Sequence, residues 1–476
     1  MVVALALSTP LSAFAEDIHV GPSELAAAMS GAGAGDTILL AEGDYGDVEV
    51  SGSGFVLTAD AGATPRLRTL TVRNAEGITV RALSISLSYG DPYESATMVS
   101  VQGSAPDTTV EDCDIFSVTD ETQSAWSADD WANLPGTGMS SRAERVIFRN
   151  NRVRNVGYGI SIAHDSPDAQ VIGNLVENFS RDGLRGIGDY GLFENNTVKN
   201  AYDVDDHHDD FFQSWSVGPD GAPGTGVVRG VVIRGNTFIN FDDPDQPFAG
   251  AAQGIGCFDG FFEDWVIENN VVQVNHWHGI TLLGARNVRV VNNTVIDNRL
   301  GERPGPPWID VSAHKDGTAS SGIVIRNNLV QSITLEADDS VQDHNFQFDD
   351  PSALFVNVAA HDFHLREGAS DAIDQGSAEM APSHDRNGIP RPQGSAPDLG
   401  AYEWHDGTVM PADAGAAPDA GPRSDAGPGT DTGPRSDSGD GSDAGTSTGG
   451  GGCSAAGSET AGLFGLLVLV VARRRR

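Results

Sequence analysis

The chain has 476 residues, with 67 acidic against 29 basic side chains and a formal net charge of −38. So acidic a surface argues against nucleic acid and anionic lipid as partners. Three cysteines are too few for a disulfide framework.

Residues 1–15 (MVVALALSTPLSAFA) are apolar and end in a small-x-small pattern, which predicts a signal peptide cleaved before Glu16. No Lys or Arg precedes the apolar run. Ser23 to Met29 reads as a short N-terminal capping helix with Ser23 as its N-cap, followed by a turn and a strand over 35–40. From 67 to 115 a degenerate repeat is visible, with Cys113 where later turns carry Asn. Residues 119–142 interrupt it with an excursion bearing Trp126 and Trp131, readable as a lid or as a surface loop.

From Val146 to Val330 one phrase recurs: aliphatic, two spacers, Asn, a spacer, then aliphatic or aromatic. Its Asn residues are 151, 174, 196, 236, 270, 293 and 328, separated by 23, 22, 40, 34, 23 and 35 positions. A base period of 22 to 23, built from β-branched residues and Gly, predicts an all-β fold: a parallel β-helix, or solenoid. An ordinary parallel α/β domain would need helical stretches between strands, which the sequence lacks. Equivalent side chains then stack turn upon turn, and the Asn column should form an amide ladder.

The pattern resembles the right-handed parallel β-helix family typified by pectate lyases, over roughly residues 17–404. That resemblance implies the hand of the coil. The fold carries lyases, hydrolases, epimerases and adhesive proteins alike, so it does not by itself assign a reaction. Residues 341–404 are similar to the closing coils of secreted bacterial β-helix proteins and are expected to cap the C-terminal end. The expected β-helix domain is 16–405. Residues 406–452 follow as a linker of six-residue Asp-Ala-Gly-like repeats, too polar to bury a core. The last segment, 453–476, joins Cys453, a twelve-residue apolar run and four Arg. It resembles a myxobacterial-type sorting signal, which implies a secreted, cell-surface or outer-membrane-attached protein.

Extra residues cluster before one sheet. Val198 to Phe212, Phe238 to Ile255 and Val295 to Ile309 need 14 or more steps where other turns need 7 or 8. Alternation along that sheet predicts an outward column of Ser161, Arg185, Gln213, Gly256, Thr281 and Asp310. The densest chemistry, Asp203 to Gln213, runs straight into it. His208, Asp210 and Gln213 there reproduce a His-x-Asp-x-x-Gln signature similar to one in a subset of secreted bacterial β-helix proteins. A solvated acidic loop is the competing reading.

These residues yield the candidate site: His208, Asp210, Arg185 and His278 as catalytic groups, and Gln213, Asp182, Trp215 and Asp310 as substrate-binding groups. Asp206 and Asp209 are the candidate metal ligands, with calcium as the candidate cofactor. The partner expected is an extracellular polysaccharide, with no nucleic acid, no membrane beyond the terminal anchor, and a monomeric chain. β-Elimination would use His208 or His278 as base and Arg185 on the sugar carboxylate; hydrolysis would use Asp182 with Asp210. A non-catalytic glycan-binding or adhesive solenoid is the alternative.

Overall fold

The computed structural model describes residues 15–243, 245–298 and 304–409. The expected signal peptide up to residue 14, the repeat-bearing linker beyond 409 and the sorting signal lie outside them. The described chain is a right-handed parallel β-helix. Thirteen strands, one per turn, form a continuous parallel sheet from Asp17–Val20 to Val341–Asp343. After it the chain bends and enters a second stack of parallel strands, among them Arg152–Val156, Thr197–Ala201 and Val271–Val274. A third stack carries the Gly-Ile phrase: Asp182–Gly186, Asp210–Trp215, Gln253–Asp259, His278–Leu283 and Trp308–Ser312.

The Asn column sits at the first bend. Asn151 N and Nδ2 both donate to Asn174 Oδ1 at 3.0 Å, and the same pair of bonds joins 174 to 196, 196 to 236, 236 to 270, 270 to 293 and 293 to 328. Each Nδ2 also donates back to a carbonyl one turn below, as Asn174 does to Phe148 O at 2.8 Å. Donors and acceptor of each buried amide are therefore used, which is the condition for burying them. Cys113 ends the column by donating its backbone N–H to Asn151 Oδ1 at 3.1 Å. At the other end Asn345, only 17 residues after Asn328, adds a rung that the 22-to-23 period hides.

The residue before each ladder Asn explains the many Asn-Asn and Gly-Asn pairs. Asn150, Asn195, Asn269, Asn292 and Asn327 have φ between 54° and 58°, and Gly173 and Gly235 lie at 65° and 64°. This left-handed corner admits Gly freely and Asn at low cost. A shorter second ladder, Asn155–Asn178–Asn200, stands at the next bend with amide contacts of 3.1 and 3.3 Å.

Three expectations are corrected. The capping helix, Leu25–Gly31, starts from Glu24 without a side-chain cap, so Ser23 is not its N-cap. Leu25 nevertheless enters the core, with Ala28 and Met29 packed against it. The 119–142 excursion is neither a free loop nor an open lid: it holds two short helices, Asp120–Gln123 and Ala128–Asn133. Trp131 is buried and stacks on Tyr202 at 4.1 Å. The closing region lies along the flank of the last turns. Its Phe355, Phe363 and Leu399 pack with the outward Val271, Ile296 and Leu329. The corner residues Asn269, Asn292 and Asn327 donate to its carbonyls at His384, Asp398 and Ser377.

Asn270→Ala removes the acceptor of the Asn236 backbone N–H and of one Asn236 Nδ2 hydrogen, and the donor to the Ile233 carbonyl, all in the interior. Orphaned buried groups cost about 1–3 kcal/mol each, so a loss of about 2–4 kcal/mol is expected in urea unfolding followed by circular dichroism. A loss below about 0.5 kcal/mol would show that the ladder does not hold the stack.

Candidate functional site

The glycines of the Gly-Ile phrase build the site by what they lack. A Cβ on Gly159, Gly183, Gly254 or Gly279 would collide with the Cγ1 of Val176, Val198, Val272 or Val295 respectively. Each of these glycines therefore faces the core, as does the Ile or Leu after it, and the residue before it is turned back outward. The result is a second outward column beside the expected one: Tyr158, Asp182, Asp210, Gln253 and His278.

The two columns bond to each other on single strands, always three residues apart. Arg185 Nε donates to Asp182 Oδ2. Gln213 Nε2 donates to Asp210 Oδ2 at 2.9 Å. His278 Nδ1 meets Thr281 Oγ1 at 3.0 Å. Across strands, Asp210 N donates to Asp182 Oδ1 at 3.3 Å. The Arg185 guanidinium lies 3.9 Å from the Tyr158 ring centroid and 5.2 Å from that of Trp215, both favourable cation–π arrangements.

Thus Asp182, Arg185, Asp210, Gln213 and Trp215 form one connected network. His278 belongs to a second cluster, three strands from Arg185 and two from Asp210, roughly 14 and 10 Å at the usual strand spacing. There its ring meets Phe258 at 4.8 Å, His276 at 5.0 Å and Trp308 at 5.6 Å. Trp277, 38% exposed, stacks on Trp308 at 6.0 Å. The exposed His208 reaches this cluster from the inserted loop, since its charge acts on both His276 and His278. Asp310 is a further strand on, bonded to Ser312, and does not join the Arg185 network.

Burial divides the carboxyls. Asp182 and Asp210 are both covered. Burial raises the Asp182 carboxyl, but the Arg185 cation opposes it, and this pair stays ionic. Burial and then the Asp182 charge push Asp210 well above the ordinary range, against weaker pulls from Gln213 and Arg185. Burial and this neighbour therefore favour the protonated form of Asp210. Since Oδ2 accepts from Gln213, the acidic proton belongs on Oδ1, which has no other partner. Oδ1 faces Gly256, where any side chain would strike it, and the Gln253 Oε1 acceptor of the next strand is likewise unpartnered.

The histidines are displaced the other way. Burial, then His208, hold His276 down to about 4; burial, then His276 and His208, hold His278 down to about 3. His278 is neutral across the physiological range but too weak a base to take a carbon-bound proton.

Asp206 is exposed and Asp209 is buried. Among the described residues no three His, Cys, Asp or Glu side chains are grouped to hold a metal ion. The calcium expectation therefore rests on loop composition alone. Of the expected hydrolytic pair, Asp182 is bonded to Arg185 and both Asp182 and Asp210 are buried.

Tyr158 and Trp308 are site residues that sequence reasoning passed over, and Thr281 was placed in the outward column without a role. Tyr158 had a signal: it precedes a Gly-Ile, as Asp182 precedes Gly183-Leu184. Strict alternation assigned that column to the core.

A sequence profile described as a right handed beta helix region matches residues 137–336, which include every residue of both outward columns. Similar solved structures include pectate lyase Pel9A, with a TM-score of 0.43 and 14% identity over 83% of this chain and 97% of that one. A mannuronic acid specific polysaccharide family 6 lyase from human gut microbiota has a TM-score of 0.39 and 12% identity, over 68% and 83% of the two chains. The A-module of the mannuronan C-5 epimerase AlgE6 of Azotobacter vinelandii has a TM-score of 0.39 and 13% identity, over 68% and 92%. No curated protein sequence matches the chain.

Asp209 supplies a pH test. Burial, then the charges of Asp203, Asp182, Asp205 and Asp210, push its carboxyl well above the usual range. Its neutral form is favoured in the fold, so its contribution is full below the unfolded carboxylate pKa and is lost as pH rises through the raised value. Asp209→Asn should change the melting temperature little near about pH 4 and raise it near about pH 8. An equal shift at both would contradict the burial of an ionisable Asp209.

Proposed function

We propose that this chain acts on an extracellular acidic polysaccharide, cleaving it by β-elimination along the groove of the Gly-Ile sheet. The observation that carries this reading is a part-exposed guanidinium, Arg185, set beside the buried carboxyl of Asp210 on the adjacent strand. Arg185, 24% exposed, retains its charge beside Asp182, while the protonated form of Asp210 is favoured one strand away.

In this reading Arg185 binds the sugar carboxylate and stabilises the negative charge that develops when the C5 proton leaves. His208 is the base, because it is exposed while His278 is buried and weakly basic; elimination therefore requires the 203–209 loop to carry its imidazole from the His276–His278 cluster to the sugar held at Arg185. The C4–O bond breaks, the C4–C5 double bond forms, and the departing oxygen takes a proton from Asp210 once Phe258 or the 203–209 loop uncovers Oδ1. Trp215 and the Trp277–Trp308 stack offer apolar faces to flanking sugars. No step is routed through calcium.

A second reading is favoured by one specific observation. Asp210 Oδ1 is buried, so the acid reaches a substrate only if Phe258 or the 203–209 loop shifts. If they stay in place, the groove binds the polymer without cutting it.

Incubation with a panel of uronic polysaccharides, followed by absorbance of the unsaturated product, separates the two. Elimination predicts product on at least one polymer and a loss of roughly a hundredfold or more in Arg185→Ala, since several kcal/mol of charge stabilisation disappear. Asp210→Asn should lower turnover while leaving polymer binding within about twofold, because the amide keeps the Gln213 contact. Activity should survive EDTA. Binding without product on every polymer would establish the non-catalytic reading.

A further inference from the structure

A second cleft lies on a different sheet from the groove. It has a volume of about 460 Å³ and opens between outward side chains of the thirteen-stranded sheet and the flank segment 380–388. Its floor holds Arg234, Glu268, Asn269 and Arg289 from successive turns; its opposite wall holds Arg386, and Met380 stands at the lip, 46% exposed. We propose that this cleft is a binding site for a saccharide bearing a carboxylate, separate from the groove and independent of its chemistry.

The argument begins with ion pairing. In a chain this acidic most arginines hold a carboxylate closely, yet Arg289 has only a long pair with Glu268 and Arg386 bonds to Tyr402 instead. Glu268 is committed to Arg234 at 2.6 Å and reaches Arg289 only at 4.0 Å. Asp385, next to Arg386, is spent on backbone amides: Oδ1 accepts from Asn387 N and Ile389 N, and Oδ2 from Glu403 N. Arg386 accordingly has no carboxylate partner among the described residues, and Nε of both Arg289 and Arg386 is without any partner. Two guanidiniums so loosely matched in one cleft leave donors that an added carboxylate can use.

The remaining lining selects the kind of anion. Glu194 and Glu268 would repel a multiply charged phosphate but can accept bonds from sugar hydroxyls. Asn269, itself buried, has its orientation set by donation of Nδ2 to His384 O at 2.8 Å, which leaves Oδ1 unpartnered as a further acceptor. Met380 with Pro382 supplies an apolar lip for the C–H face of a ring. Two donors of positive charge, several acceptors and an apolar edge together match a monoanionic sugar better than a bare ion.

The test uses the full chain carrying Arg185→Ala, so that groove binding is weakened and the cleft is read alone. Calorimetric titration with uronic trisaccharides should show binding, with maltotriose and inorganic sulfate giving none at matched concentration. Adding Arg289→Ala and Arg386→Ala should weaken binding roughly tenfold to a hundredfold, the worth of one to two charge-assisted bonds. In the otherwise wild-type chain the same pair of substitutions should leave groove turnover unchanged. Should that variant fail to fold, Met380→Glu at the exposed lip must weaken binding in the same sense by repulsion. Unchanged affinity in these variants, no binding of any uronic trisaccharide, or sulfate bound as tightly as the saccharide would each overturn the proposal. Failure of the elimination reading would show in product formation and would not touch this outcome.

Discussion

Every functional feature of this molecule depends on its turns staying in register, and the buried Asn column is the interaction that holds them there. A strand stack held by backbone bonds alone can slip by one residue, and a slip exchanges inward and outward faces. The amide ladder forbids this, because each Asn donates both its Nδ2–H and its backbone N–H to the Oδ1 of the next Asn. A displaced turn would leave several buried polar groups unmatched at once. Insertions as long as those before Phe212 and Ile255 are tolerated because they enter after the ladder has set the register.

With register fixed, the electrostatics of the groove follow from geometry. Asp182 and Asp210 are cross-strand neighbours. Two carboxylates so close in a dry environment do not both stay ionised, and the one that holds a cation keeps its charge. Arg185 decides which: it bonds Asp182, so the proton settles on Asp210. The acid is a consequence of its neighbour, and Gln213 fixes its orientation.

The corner glycines show why part of this site was hidden. The sequence pattern predicted the column of Arg185, Gln213, Thr281 and Asp310 because alternation applies along each strand. It failed for Tyr158, Asp182, Asp210 and Gln253, because two successive residues face the core where the third stack begins. His208 and His278 were identified by residue type, but their difference in basicity comes from burial among Phe258, Trp308 and His276, which lie on other turns. The second cleft had no sequence signal at all: its walls are about 100 residues apart in the chain, and only the return of the closing segment along the flank joins them.

Period, β-branched composition and recurrent Asn were enough to determine the solenoid, its ladder and the sheet that receives the insertions, because a repeating structure writes its contacts as spacings. What the tertiary structure alone decided was protonation and access: which carboxyl is an acid, which histidine is shielded, which arginines are only loosely matched. Those properties are set by desolvation and by charges on neighbouring turns. Neither quantity is local in the chain, so no window of the sequence contains it.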